Sequence, residues 1–219
     1  MAHLHFSGNQ HADQLISDDP LALLIGMVLD QQITIEQAFR GPAVLVDRLG
    51  ITIPIDPNHI AATDPDALAQ AFSQKPSIHR YPASMAARVQ QLCRVVARQY
   101  SGDASEIWRG AQDGTELRAR VEALPGFGAR KARIFVALCG KQMGVRPPGW
   151  QHASYPFGEP GSFLSVADVV DDASLCEVRR RKREAKALAK ATGGTAAKTP
   201  ASVPSTASGN KTAGAWTMQ

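Results

Sequence analysis

Apolar residues recur at three- and four-residue intervals along most of the chain, and the intervals mark out helices. Asp19 and Pro20 supply an N-cap and a first-turn proline, and Leu21, Leu24, Ile25, Val28 and Leu29 follow at helical spacing. This pattern predicts a helix buried along one side that stops at a polar corner, Asp30-Gln31-Gln32. Thr34 and Gln37 then form a capping-box pair for the next helix. Gly41-Pro42 restarts a short helix through Val44, Leu45, Val46 and Leu49, closed by Gly50. From Ile51 to His59 the apolar residues alternate, but Pro54 and Pro57 make the segment an extended connection. Asp64-Pro65 opens a helix with Leu68 and Phe72 facing inward, and KPSIHRYPAS reads as a loop. Met85, Val89, Leu92 and Val96 then describe an amphipathic helix over 83–100, with Arg88, Arg94 and Arg98 off its apolar stripe on a solvated face. Gly102 ends it, and a short turn forms around Ile107 and Trp108.

The stretch from Leu117 to Gly140 carries the strongest chemical signal. Leu117, Val121 and Leu124 share one helical face, and Ala132, Phe135, Val136 and Cys139 share another. Between them lies Leu124-Pro125-Gly126-Phe127-Gly128, where proline halts the first helix and the glycines permit a tight bend. Such a bend presents backbone N–H groups at the start of the second helix, a place suited to an anion such as phosphate. Arg130, Lys131 and Arg133 crowd that first turn, against the helix dipole, and a bound phosphate removes the conflict. A dinucleotide fingerprint is excluded, because Lys131 stands where a third glycine is needed and the preceding segment is helical. The P-loop Gly-Lys-Ser/Thr is missing as well. A structural Pro-Gly turn between two core helices is the plain alternative.

Composition narrows the class. In 219 residues, 44% apolar content supports a real core and helix formers dominate, so the expectation is an all-α protein. The formal charge of +4 is unevenly spread: Arg179, Arg180, Arg181, Lys182 and Arg183 form one basic run. The three cysteines, Cys93, Cys139 and Cys176, are far apart and odd in number, which argues for reduced thiols in a cytosol. No apolar run reaches membrane-spanning length and the N-terminus lacks a signal-peptide pattern, so a cytoplasmic protein is expected. His3 and His5 make only a two-ligand pair, and no transition metal is expected.

The residues LPGFGxxKA at 124–132 resemble the helix–hairpin–helix motif of the HhH-GPD DNA glycosylases. The segment LLIGMVLDQQIT looks like the early helix of the same family, which turns at a loop bearing a glutamine that fills the gap left by an extruded base. Gln32 matches that glutamine, and an amide that both donates and accepts suits the role. Without the resemblance, Asp30, Gln31 and Gln32 read as a polar helix–helix corner.

The resemblance implies a two-lobed helical bundle, DNA glycosylase-like, with duplex DNA as partner and a monomer as the working state. It implies phosphate contact at Gly126, Phe127, Gly128, Arg130 and Lys131, and cleavage of an N-glycosidic bond by an aspartate that opposes the cationic sugar. In the family that aspartate lies about eighteen residues past the hairpin's lysine position, where this chain has Arg146-Pro147-Pro148-Gly149. The Gly/Pro-rich loop 144–161 then ends near Asp168, which becomes the first candidate for the carboxylate, followed by Asp30 and then Glu159.

Arg130 occupies the position of the lytic lysine of bifunctional members and cannot form an imine, while Lys131, about 100° further round the helix, is expected to face elsewhere. A monofunctional glycosylase follows. The iron–sulfur loop of some relatives is absent, and no cofactor is expected beyond a monovalent cation held on hairpin carbonyls. The domain reading is an N-terminal arm over 1–18, a helical glycosylase domain over 19–190 with its hairpin at 117–140, and a disordered basic tail over 191–219. A non-catalytic DNA-binding or damage-sensing protein that keeps the hairpin is the alternative, and an acid-free cleft would mark it.

Overall fold

A computed structural model of the chain describes residues 3–191. The tail expected over 191–219 lies, apart from its first residue, outside the described residues.

Helices alone build the described residues, joined by turns and loops without strands. Six of them form a first lobe: α1 (Gln10–Asp18), α2 (Pro20–Leu29), α3 (Ile35–Leu49), α4 (Pro57–Ala62), α5 (Pro65–Ser73) and α6 (Pro82–Gln99). A second lobe holds α7 (Glu106–Arg109), α8 (Gly114–Glu122), α9 (Ala129–Lys141), α10 (Trp150–Ser154), a 3₁₀ turn (Val166–Asp168) and α11 (Asp172–Ala191). Within each lobe the helices pack on one another: α2 on α3 and α6, and α9 on α8, α10 and the 3₁₀ turn. The expectation of an all-α bundle is met.

The spine of the first lobe is α2, whose residues from Leu21 to Leu29 are all buried. The sequence pattern suggested one buried side; the helix is instead enclosed all round, as an unbroken apolar run allows. Asp19 anchors its start, accepting from the Leu21 and Ala22 amides at 2.8 and 3.0 Å and from the Ile55 amide at 2.7 Å. Glycine sets the α2–α3 distance. A Cβ on Gly26 would sit 2.5 Å from the Phe39 ring, and one on Gly41 would sit 2.4 Å from Leu29.

That close approach explains why Gly41-Pro42 does not break α3. The helix runs through Pro42 to Leu49, with Ala38, Phe39, Ala43, Leu45 and Val46 buried, and packing outweighs the missing N–H. Each fully buried Leu, Ile, Val or Phe contributes about 1.5–3 kcal/mol, against about 3 kcal/mol for an interior proline. Gly50 then closes the helix at φ 60°. The expected arm is also part of this lobe: Leu4 and Phe6 are buried, and Phe6 packs edge-on against Phe39 at 4.8 Å. Within the expected extended connection, Asp56 and Pro57 start the short helix α4.

In the second lobe α10 lies inside the Gly/Pro-rich loop. Two glycines admit it: a Cβ on Gly114 would meet the Trp150 backbone at 2.5 Å, and one on Gly140 the Trp150 ring at 2.3 Å. Among the described residues no helix is long and apolar enough to cross a membrane.

Candidate nucleic-acid cleft

After α8 ends at Glu122, Pro125 and Gly126 form a bend closed by a hydrogen bond from the Phe127 amide to the Leu124 carbonyl at 3.0 Å. Gly126 takes φ +87°, and its missing side chain makes room for Arg88 and Val28, which an added Cβ would meet at 2.8 and 3.2 Å. Gly128, by contrast, faces open space and stands as the N-cap of α9 with φ −114°. No side chain caps α9, and the amides of Gly128, Ala129, Arg130 and Lys131 have no acceptor among the described residues. Gly128, Ala129 and Arg130 are exposed. The bend therefore offers unpaired donors at a helix N-terminus.

Phe127 has a different place from the one the motif suggested. Its ring is buried and packs edge-on against Phe135 at 6.1 Å, so the side chain holds the bend's shape and is not open at the surface. Arg130 is exposed and its guanidinium is held over the Phe157 ring at 5.2 Å. A monovalent cation on this bend would share carbonyls already in use, since Leu124 accepts from Phe127 and Gly128 from Ala132, each keeping one lone pair.

Across from the bend lies the corner after α2, and between them opens a cleft of about 590 Å³. Asp30, Gln32, Gly128, Arg130, Lys131 and Lys182 are among the residues that line it. Gln32 is exposed at φ +58°, a left-handed conformation that costs a non-glycine residue about 1–2 kcal/mol. Its side chain has no partner among the described residues. The corner beneath it is rigid: the Gln31 side chain donates to the Val28 carbonyl at 2.7 Å and accepts from Arg88 at 3.1 Å.

His79, which the sequence placed in an undistinguished loop, completes that support from below. The ring is fully buried, its Nδ1 accepts from the Tyr81 amide at 3.0 Å, and Nε2 therefore carries the proton and donates to the Gln31 carbonyl at 2.9 Å. Arg88, expected on a solvated face, is half-buried between the Gln31 side chain and Gly126. No sequence signal distinguished either residue.

Lys131 does not face away. It is half-buried in the cleft, donates to the Val28 carbonyl at 3.1 Å and lies 5.8 Å from the Phe127 ring centre. Burial pushes its ammonium down to about 8, with the Asp30 charge pulling the other way and Arg88 adding to the fall. Asp30 is half-buried, C-caps α2 through its backbone, and its carboxylate has no hydrogen-bond or ion-pair partner among the described residues. An unpaired carboxylate and a softened amine thus share one wall-to-wall cleft with the free amides.

Asp168 is elsewhere. It closes the 3₁₀ turn instead of opening a helix, and its carboxylate is saturated: Lys141 donates at 2.6 Å, Ser162 at 3.0 Å and the Leu164 amide at 3.1 Å. With 5% of its side chain exposed and Lys141 as ion partner, it is a structural anchor. Glu159 is exposed and, with Asp168, borders a separate cavity of about 530 Å³ walled by Trp150 and Phe163.

A family model for the HhH-GPD superfamily of base excision DNA repair proteins matches residues 25–193, a span that holds the hairpin, the Gln32 corner and the cleft between them. The chain belongs to that superfamily. Searches against curated proteins and against solved structures gave no significant match. Membership of the HhH-GPD superfamily makes base excision repair the setting and DNA the partner, with glycosylases as the general run of its members. The hairpin and the Gln32-bearing corner that the sequence suggested are both present in the structure. The aspartate expected after the hairpin is not: the position holds Pro148, whose carbonyl accepts from the Gly114 amide at 2.8 Å.

Proposed function

We propose that this protein is a DNA N-glycosylase in which Asp30 takes the part of the missing aspartate. The observation that carries the reading is the unpartnered Asp30 carboxylate lining the same cleft as Gln32, Lys131 and the unpaired amides of Gly128 to Lys131. The amides hold a phosphate, Gln32 enters the stack, and the extruded nucleotide fills the cleft. As the bond from the sugar carbon to the base nitrogen breaks, its electron pair leaves with the base and positive charge grows on the sugar. Asp30 opposes that charge and accepts a proton from the attacking water. With its pKa near 8, Lys131 is mostly an ammonium at pH 7 and donates a proton to the departing base.

A second reading rests on the same amine. Arg130 cannot form an imine, which favours a monofunctional enzyme that leaves the abasic site intact. Lys131, however, lies in the cleft with a lowered pKa, and once deprotonated it is a competent nucleophile toward the sugar carbon. Borohydride trapping separates the two: a covalent protein–DNA adduct lost in Lys131→Met supports the lyase, and strand cleavage seen only after alkali supports pure hydrolysis.

The reading as a whole is tested by a panel of duplexes, each with one uracil, alkylated purine or oxidised base. Release of any one lesion supports it. Duplex binding without release of any supports instead a damage sensor that keeps the hairpin.

A further inference from the structure

The basic run on α11 is sorted onto two faces. Glu177, Arg180, Arg181 and Glu184 lie at helical spacing and neutralise one another, with Arg180 bonded to Glu177 at 2.7 Å and to Glu184 at 2.6 Å, and Arg181 to Glu177 at 2.8 Å. Arg181 also stacks over Phe163 at 5.5 Å. That face is closed to outside charge.

Arg179, Lys182, Arg183 and Lys186 fall on the adjoining face, at spacings of three and four residues. Arg179 pairs with Glu36 of α3. Lys182 and Arg183 have no carboxylate partner among the described residues; Arg183 only reaches the Arg179 carbonyl at 3.4 Å. Together with Ile33, Thr34 and Ile35 they border a depression of about 430 Å³. Lys182 also lines the Asp30–Lys131 cleft, and since Ile33 borders both as well, the depression and the cleft adjoin at the Gln32–Ile33 corner.

We propose that this face of α11 is a second phosphate grip for duplex DNA, with Lys182 and Arg183 as its contacts. The hairpin holds the backbone on one side of Gln32, and α11 holds it on the other. Two grips flanking the wedge resist the recoil of a duplex from which a base has been pushed. Duplex DNA is the partner that the position selects, because these cations meet at the corner that enters the stack. The proposal rests on the DNA reading above, and its test keeps the two apart.

Duplex affinity is measured by fluorescence anisotropy from 50 to 300 mM KCl for the full chain, for K182Q/R183Q, and for R180Q as the closed-face control. Each phosphate contact contributes roughly 0.9 to the slope of log affinity against log salt, so K182Q/R183Q lowers the slope by about 1.8, and R180Q leaves it unchanged. Circular dichroism melting checks that both variants fold; these exposed side chains should leave the melting temperature within a few degrees. An unchanged slope in K182Q/R183Q, or an equal fall in R180Q, overturns the second grip while the DNA reading stands. A wild-type chain without duplex affinity overturns both.

Discussion

Lys131 Nζ and the Val28 carbonyl are 3.1 Å apart, a bond that joins the first turn of α9 to the last turn of α2. It fixes the hairpin against the helix whose C-cap is Asp30, so the amine and the carboxylate keep their places across one cleft. Burial lowers the ammonium to about 8. The unfolded chain holds that proton up to its ordinary value near 10.5, and between about 8 and 10.5 the unfolded state binds more protons than the folded one.

Stability therefore rises with pH across that window as far as Lys131 is concerned. Raising the pH from 7 to 9.5 should relieve about 1–2 kcal/mol of the penalty for the buried charge. Urea denaturation at the two values, on wild type and Lys131→Met, checks this: the variant should lack the Lys131 share of the gain. The activity profile carries the opposite information. Proton donation by Lys131 makes excision fall as the pH passes about 8, whereas imine formation makes strand cleavage rise there.

Gly126 and Gly128 should behave differently under the same substitution. Gly126→Val places a branched side chain at φ +87° and into Arg88, and a loss of at least about 3 kcal/mol is expected in thermal or urea unfolding. Gly128→Val meets nothing within 4 Å, so the fold should hold to within about 1 kcal/mol. Its methyls cover the free amides, and duplex affinity should fall more than about tenfold, the loss of one to two charge-assisted hydrogen bonds.

Gln32→Gly should separate strain from function. Glycine accepts φ +58° without steric conflict, so the melting temperature should stay or rise slightly. The lost amide should slow excision by about tenfold or more if it fills the vacated stack, since one hydrogen bond and its contacts are worth about 1.5 kcal/mol. Equal single-turnover rates would remove the wedge role.

Asp168→Asn should act on stability alone. Breaking the ion pair leaves the half-buried Lys141 ammonium with only the Glu159 carbonyl and the Ser162 hydroxyl as acceptors, at a cost of about 3 kcal/mol. Excision by the fraction that remains folded, measured below the lowered melting temperature, should stay within a few-fold of wild type.

The caps and the bend were legible in the sequence because they are local. Asp19, Thr34 and Asp64 each accept from amides two or three residues ahead, within reach of a short motif. The roles of Lys131 and Asp168 were not, because each depends on a partner far along the chain: Val28 lies 103 residues before Lys131, and Lys141 lies 27 before Asp168. A 100° step around a helix says nothing about what another lobe places opposite. Gly41-Pro42 misled for the related reason that Leu29 and Ile78, not neighbours in sequence, press on the helix there. His79 carried no signal at all, since its two bonds form only after the loop folds under Gln31.

The most direct measurement is single-turnover excision by Asp30→Asn on whichever lesion the wild type releases, with duplex affinity measured alongside. Loss of the carboxylate charge should slow base release by about a hundredfold or more, as removal of a charge-stabilising group does, and leave duplex affinity within about twofold, under 0.5 kcal/mol. Asp30→Asn releasing the base at the wild-type rate would contradict the assignment of the chemistry to this cleft.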